Sequence, residues 1–173
     1  MQGDFLNAIS EGGCISTDSC YVENSKFITV NGGLLLKNVH KSTEMYLLQG
    51  GNLNVTGLHG KVQATTNGGH ITFQLTEVYG DSVIEARDPQ SLKINISEFV
   101  QEHTCLDVIV DEITLDNTLA LWSSKITGKG QLQSGDTDLK EDKLTIKSNG
   151  ALILGKLSWM DTIKFKYSAK ADS

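Results

Sequence analysis

Residues 26–75 read KFITVNGGLLLKNVHKSTEMYLLQGGNLNVTGLHGKVQATTNGGHITFQL, a segment with regularly spaced glycine pairs. It contains three Gly-Gly pairs, and a fourth pair precedes it. The pairs are Gly12-Gly13, Gly32-Gly33, Gly50-Gly51 and Gly68-Gly69, which begin 20, 18 and 18 residues apart. Each of the last three follows one short β-type stretch and precedes another. A fixed period is typical of stacked repeats, so the unit is predicted to be strand, turn, strand, turn.

The glycine pairs fade beyond residue 80, but the two-strand rhythm continues. The segments VIEARDPQSLKINI, LDVIVDEITLDNTL and LTIKSNGALILGKL each place two apolar stretches around a turn, the last with Gly150 in the turn. Within the strands apolar and polar residues alternate, as Leu53 and Val55 do with Asn54 and Thr56. This alternation predicts that one face of each strand is buried and the other is in water.

The period separates two all-β architectures. Sandwiches and barrels have no reason to repeat a Gly-Gly pair every 18 residues. A single-domain parallel β-helix (β-solenoid) does, because each coil lies on the next and the same turn recurs at one corner. Glycine suits that corner because it adopts positive φ and has no side chain to collide with the next coil. We therefore predict about seven to eight short coils, with structural turns at Gly12, Gly13, Gly32, Gly33, Gly50, Gly51, Gly68, Gly69 and Gly150.

Two further expectations follow from this pattern. The seventh position after the second glycine of each pair holds Cys20, His40, Leu58 and Thr76, a mixed column that predicts an outer corner without a ladder of ligands. Helical periodicity over twelve residues is absent from the interior of the chain. A helix near either end stays open, and residues 137–143 fit either a helical turn or a charged loop.

Composition limits the function classes. The chain has 173 residues, a net charge of -6 and a pI near 5.1, which argue against nucleic-acid binding because phosphate contacts need clustered Lys and Arg. No apolar run is long enough to insert into a membrane. The domain is predicted to span residues 1–167, with regular repeats over 12–85 and diverged coils over 86–167, and residues 168–173 form a disordered tail.

The cysteines indicate the compartment. Cys14, Cys20 and Cys105 are odd in number and lack metal-site spacing, and the first twenty residues lack the pattern of a secretory signal. These features predict a protein of the cytoplasm or an organelle. The alternative is a secreted or cell-surface protein whose signal has been removed.

The rhythm of NVTGLHGKVQATTNGGHITF, residues 54–73, resembles that of the adhesin-type β-solenoid domains of unknown function. In that family a strand, a Gly-x-x-Gly turn, a second strand and Asn-Gly-Gly follow one another. The resemblance extends best over residues 26–85 and implies a right-handed β-helix. It supplies no catalytic residues.

Candidate chemistry is sparse. Carbohydrate-acting β-helix enzymes use carboxylates on adjacent coils, so Asp107, Asp111 and Asp116 are the alternative catalytic candidates, although acidic residues on a solvated strand face are ordinary. His40 and His59 fall near neighbouring turns, where two surface histidines are the simpler interpretation. Nucleotide, calcium and serine-hydrolase motifs are missing, so the sequence predicts neither a cofactor nor a metal.

Aromatic residues offer a binding surface or a cap. Trp122, Trp159 and three tyrosines, Tyr46, Tyr79 and Tyr167, can stack on sugar rings. Both tryptophans lie in the last third, where they can also cover the open end of the stack. The sequence favours a non-enzymatic scaffold or binding module for a protein or a carbohydrate. A β-helix enzyme and a self-assembling structural protein are the alternatives, and monomer and homo-oligomer both stay open.

Overall fold

The chain is all-β with parallel strand pairing, as seen in a computed structural model that describes residues 4–115, 131–134 and 142–157. The described strands belong to one sheet that does not close on itself. In chain order the elements are β1 (Phe5–Ser10), β2 (Ile15–Thr17), β3 (Asn24–Thr29), β4 (Leu34–Leu47), β5 (Leu53–Asn67), β6 (His70–Val78), β7 (Asp81–Arg87), β8 (Ser91–Ile96), α1 (Glu98–His103), β9 (Thr104–Ile109), β10 (Glu112–Leu115), β11 (Gln131–Ser134), β12 (Asp142–Ser148) and β13 (Ala151–Lys156).

The strands form two rows. Row one contains β2, the first part of β4, the first part of β5, and then β6, β8, β13 and β10. Row two contains β1, β3, the second parts of β4 and β5, and then β7, β12, β9 and β11. The long strands β4 and β5 pass from row one to row two at a corner. Every pairing is parallel except that of β11 with β9, which is antiparallel.

The core consists of inward side chains that line up from strand to strand. One such column in row one contains Ile15, Leu34, Leu53, Ile71, Leu92, Leu152 and Ile113. A column in row two contains Ala8, Phe27, Met45, Ala64, Ile84, Ile146 and Val108. Residues of both rows belong to a single hydrophobic cluster. Burial of each Leu or Ile side chain contributes about 1.5–3 kcal/mol to the free energy of folding. Burial of these columns is therefore the main contribution to stability.

The glycine turns stack backbone on backbone. A Cβ on Gly32 would lie 1.8 Å from the carbonyl oxygen of Gly13, one on Gly51 would lie 2.2 Å from that of Gly32, and one on Gly69 would lie 1.8 Å from that of Gly51. The stacked positions are therefore 19, 19 and 18 residues apart. The expected pair-on-pair alignment is wrong by one residue at Gly32-Gly33, because the first glycine of that pair meets the second glycine of its neighbours.

Later turns replace glycine with side-chain hydrogen bonds. Asp88 has a positive φ of 46°, and its N–H donates to Oδ1 of Asn149 at 2.7 Å. Nδ2 of Asn149 returns a hydrogen bond of 2.6 Å to Oδ1 of Asp88. These bonds connect the turn after β7 to the turn after β12, where the sequence no longer offers a Gly-Gly pair.

The last strand pair that the structure describes does not lie at the end of the stack. β12 lies between β7 and β9 in row two, and β13 lies between β8 and β10 in row one. The expectation that successive segments lie one on top of the next is therefore wrong beyond residue 96. The segment 142–156 fills a place between 81–96 and 104–115.

Helix α1 is a departure from the expected all-strand interior. It begins after Ser97, whose hydroxyl accepts a hydrogen bond from the N–H of Val100, and ends at His103. A helix of six residues is too short to show helical periodicity over twelve residues, so the sequence does not predict α1. In the part of the chain that the structure describes, no helix has the length and apolarity needed to cross a membrane. Of residues 137–143, Asp142 and Lys143 lie in β12, and 137–141 lie outside the described residues.

The glycine stack gives a direct test. Gly32→Ala inserts a methyl group against the backbone of Gly13 and should lower the free energy of unfolding by about 1–3 kcal/mol. Gly12→Ala is the matched control, because its Cβ would meet no atom within 4 Å and should change stability by about 0.5 kcal/mol or less. Urea unfolding measures both, and equal midpoints for the two variants would contradict the stacked arrangement.

The position of β12 gives a second test. Lys147 lies beside Glu85 in register, so the variant Glu85→Cys/Lys147→Cys, made with Cys14→Ser, should form a disulfide on oxidation. Glu85→Cys/Ile109→Cys is the control, because Ile109 lies one strand further away, at about 9.6 Å. Peptide mass spectrometry identifies the linked residues. If the control pair links and the first pair does not, the segments are stacked in chain order instead.

Candidate functional site

The candidate site is the corner where β4 and β5 turn from row one to row two. Three residues at this corner have positive φ: Asn38 at 52°, Lys41 at 67° and Gly57 at 75°. These left-handed positions bend each long strand. The pairing of β4 with β5 skips Asn38 and Gly57, and the pairing of β5 with β6 shifts register beside Gly57. Oδ1 of Asn38 would lie 3.1 Å from a Cβ on Gly57, so the two bends are packed closely. Beyond the bend, β4 and β5 return to the register that they have before it.

A column of polar rings follows the corner. His40 pairs in register with His59, and His59 pairs with Glu77 of β6. The rings of His40 and His59 have centroids 4.8 Å apart and are nearly parallel, with 5° between their planes. Tyr21 stacks on the other face of the column, 4.3 Å from His40 with 20° between the planes. We call Tyr21, His40, His59 and Glu77 the corner ladder.

An open groove of about 550 Å³ runs along the corner ladder. Its lining residues are His40, Lys41, His59, Gly60, Lys61, Glu77 and Tyr79. Gly60 is essential to this shape, because a Cβ there would lie 2.0 Å from the carbonyl oxygen of Lys41. The groove is therefore lined by close-packed backbone at Gly60 and by polar and aromatic side chains around it.

Burial, hydrogen bonding and nearby charges shift the pKa values of two groove residues, His40 and Tyr79. Burial is the largest cause that lowers the pKa of His40 from 6.5, followed by repulsion from His59; Glu77 raises it and Lys41 lowers it slightly further. The hydroxyl of Tyr79 donates a hydrogen bond to Oε2 of Glu77, and this bond is the main cause that raises the pKa of Tyr79 above 10.0. Burial and the charges of Glu77 and Asp142 add to that shift. The lowered pKa favours the neutral form of His40 at neutral pH, beside the two lysines.

The lysines are available to a ligand. Lys41 and Lys61 are both exposed, and the ammonium of Lys41 lies 3.9 Å from Oε1 of Glu23. The two side chains of that ion pair are 56% and 61% exposed, so water screens the pair and it stabilises the fold little. Tyr21 and Tyr79 are each 44% exposed and leave aromatic surface open to solvent.

The acidic candidates lie elsewhere. Asp107 is half-buried in β9 beside Thr145 of β12, and Asp111 is exposed in the turn before β10, where its N–H donates to the carbonyl of Gly150 at 3.1 Å. Neither residue lines the corner groove. Asp116 lies outside the described residues, as do Trp122, Trp159, Tyr167 and residues 168–173.

The mixed column expected at the corner separates into two columns. Cys20 aligns with Val39 and Leu58, and each of the three side chains is only 1% exposed. His40 instead aligns with His59 on the outside. The segments VHK and LHG carried this signal, because aligning their apolar residues also aligns their histidines. A Gly-Gly alignment one residue out of register concealed it.

The other two histidines lie away from this site. His70 in β6 hydrogen-bonds through Nδ1 to Oγ of Ser91 at 2.7 Å, and His103 stacks on Phe99 in α1. Over residues 4–115, 131–134 and 142–157, no group of three His, Cys, Asp or Glu is placed to hold a metal ion.

No protein-family model, curated protein or solved structure matches this chain.

The lowered pKa of His40 makes stability depend on pH. Between 6.5 and its lower folded value, His40 takes up a proton more readily in the unfolded chain, so falling pH destabilises the fold. We expect the wild type to lose more free energy of unfolding between pH 7.5 and 5.5 than His40→Gln, as measured by urea unfolding. His70→Gln, outside the ladder, is the control and should lose as much as the wild type. An unchanged loss in His40→Gln would contradict the assignment.

Proposed function

We propose that this protein is a non-enzymatic β-solenoid of the adhesin type that binds carbohydrate in its corner groove. The single observation that carries the proposal is the alignment of the corner ladder with an open groove along the same edge. Parallel pairing and a return to the same row every 18 to 21 residues support the β-solenoid, whose outer surface repeats from coil to coil.

Binding explains the groove better than hydrolysis does. Glycoside hydrolysis generally requires two carboxyl groups on either side of the bond that breaks. Among the described residues that line the groove, Glu77 is the sole carboxylate, and it accepts a hydrogen bond from Tyr79. Asp107 and Asp111 belong to a different part of the stack. The chemistry of the groove is thus suited to holding a ligand in place.

Carbohydrate is the ligand class that this lining suits best. Sugars present apolar ring faces and many hydroxyl groups, and Tyr79 offers an exposed aromatic ring for the former. Imidazole edges, lysine ammonium groups and the Glu77 carboxylate supply donors and acceptors for the latter. The groove follows the direction in which the strands stack, so an extended chain of sugar units can contact several strands together.

Two tyrosines make a matched test. Tyr79 and Tyr46 each hydrogen-bond to a glutamate two residues earlier, Glu77 and Glu44, but Tyr46 lies on row two away from the groove. A glycan array identifies a ligand for the wild type. Tyr79→Ala should weaken binding of that ligand about tenfold, the effect of one lost stacking contact, and Tyr46→Ala should bind as the wild type does.

Two results would contradict the proposal. One is an array of neutral and acidic glycans on which the wild type binds nothing. The other is a ligand whose dissociation constant is unchanged by Tyr79→Ala, because that ligand would be bound away from the groove.

A further inference from the structure

The corner groove is a basic site on an acidic protein. The chain carries a net charge of -6, yet the groove contains two lysines and two histidines against one glutamate. Lys41 and Lys61 are exposed and project from successive strands, β4 and β5. Charge of this sign, concentrated in a concave surface, favours anionic ligands over neutral ones.

The geometry of the two imidazole rings adds a proton requirement. His40 and His59 lie face to face at 4.8 Å, and both line the groove. Two imidazolium charges at that distance repel each other, and the charge of His59 is one of the causes that lower the pKa of His40 in the empty groove. A negative group bound in the groove offsets this repulsion and favours the form in which ring N–H groups donate to it.

We propose that the groove binds acidic oligosaccharides through their carboxylates and takes up a proton on the His40–His59 pair as it does so. This inference rests on the proposed function and names its substrate class. By linkage, a ligand that raises proton affinity binds more tightly as the pH falls. Acidification therefore lowers the free energy of unfolding of the empty protein and raises its affinity for the acidic ligand.

The charged groups that face the pair are few and come from several elements. Lys41 follows His40 in β4, Lys61 lies in β5, and Glu77 faces His59 from β6. Tyr21 covers the outer face of His40, and Glu23 contacts the ammonium of Lys41. The low pKa of His40 in the empty groove agrees with this arrangement, because proton uptake needs a group that is neutral before the ligand arrives.

Isothermal titration with two matched ligands tests the inference. Tetragalacturonic acid keeps its carboxylates ionised at pH 7.5 and 5.5, because carboxyl groups ionise near pH 4, and its full methyl ester has the same chain without the charge. We expect the acid to bind the wild type at least about fivefold more tightly at pH 5.5 than at 7.5, within the tenfold per unit that one proton allows. The ester should bind weakly and with the same constant at both pH values.

Variants connect the effect to the two rings. His40→Gln/His59→Gln keeps polar side chains at the corner but cannot take up a proton, so the acid should bind it with equal affinity at both pH values. His70→Gln is the control and should keep the wild-type pH dependence. Repeating the titration in buffers of different ionisation enthalpy measures proton uptake directly, which should be near one in the wild type and near zero in the double variant.

The outcomes separate the two proposals. If acid and ester bind equally at both pH values, the groove binds carbohydrate and the proton-coupled inference is wrong. If the acid tightens at low pH equally in the double variant, the proton resides elsewhere and the inference is again wrong. If neither ligand binds and the glycan array is also empty, the proposed function falls with it.

Discussion

A close backbone-to-backbone contact between neighbouring turns sets the geometry of this molecule. At the stacked turns the carbonyl oxygens of Gly13, Gly32 and Gly51 each lie where the next glycine would carry a side chain. No residue with a Cβ fits that space, so these stacked turns require glycine, whereas the later turns are joined by side-chain hydrogen bonds. The distance along the chain between these contacts, 18 or 19 residues, fixes which residues of neighbouring strands face each other. Core columns and corner ladder both depend on this register.

The same register creates the surface that we propose to bind carbohydrate. Because side chains alternate across a strand, a shift of one residue exchanges the buried and the exposed columns. In the observed register Val39 and Leu58 enter the core, and His40 and His59 stack outside it. The corner bends at Lys41 and Gly57 then turn the rings toward an open groove. One backbone constraint thus determines both the stability of the repeat and the chemistry of its edge.

Much of the strand pattern could be predicted from the sequence. The glycine alignment and the placement of the segment 142–156 could not, for physical reasons. Alternation around Leu53 and Leu92 predicted strands and buried faces, because burial on one side of a strand imposes a period of two. Gly-Gly spacing predicted parallel repeats but located the alignment one residue wrong, which concealed the stack of His40 on His59. The placement of 142–156 rests on tertiary pairing between segments that local sequence does not relate.

That placement has a consequence for the order in which the protein can mature. In repeat arrays folding can begin in one unit and spread to its neighbours, and during synthesis the N-terminal parts of a chain generally fold first. Here the unit at 104–115 has no completed neighbour when it is synthesised, because the strands that join it to 81–96 are made later. Two strand edges must stay apart until that late segment arrives between them. The unit at 104–115 can therefore take its place in the stack only after residues 142–156 have been synthesised, and a chain truncated before residue 142 lacks the segment that joins its two parts.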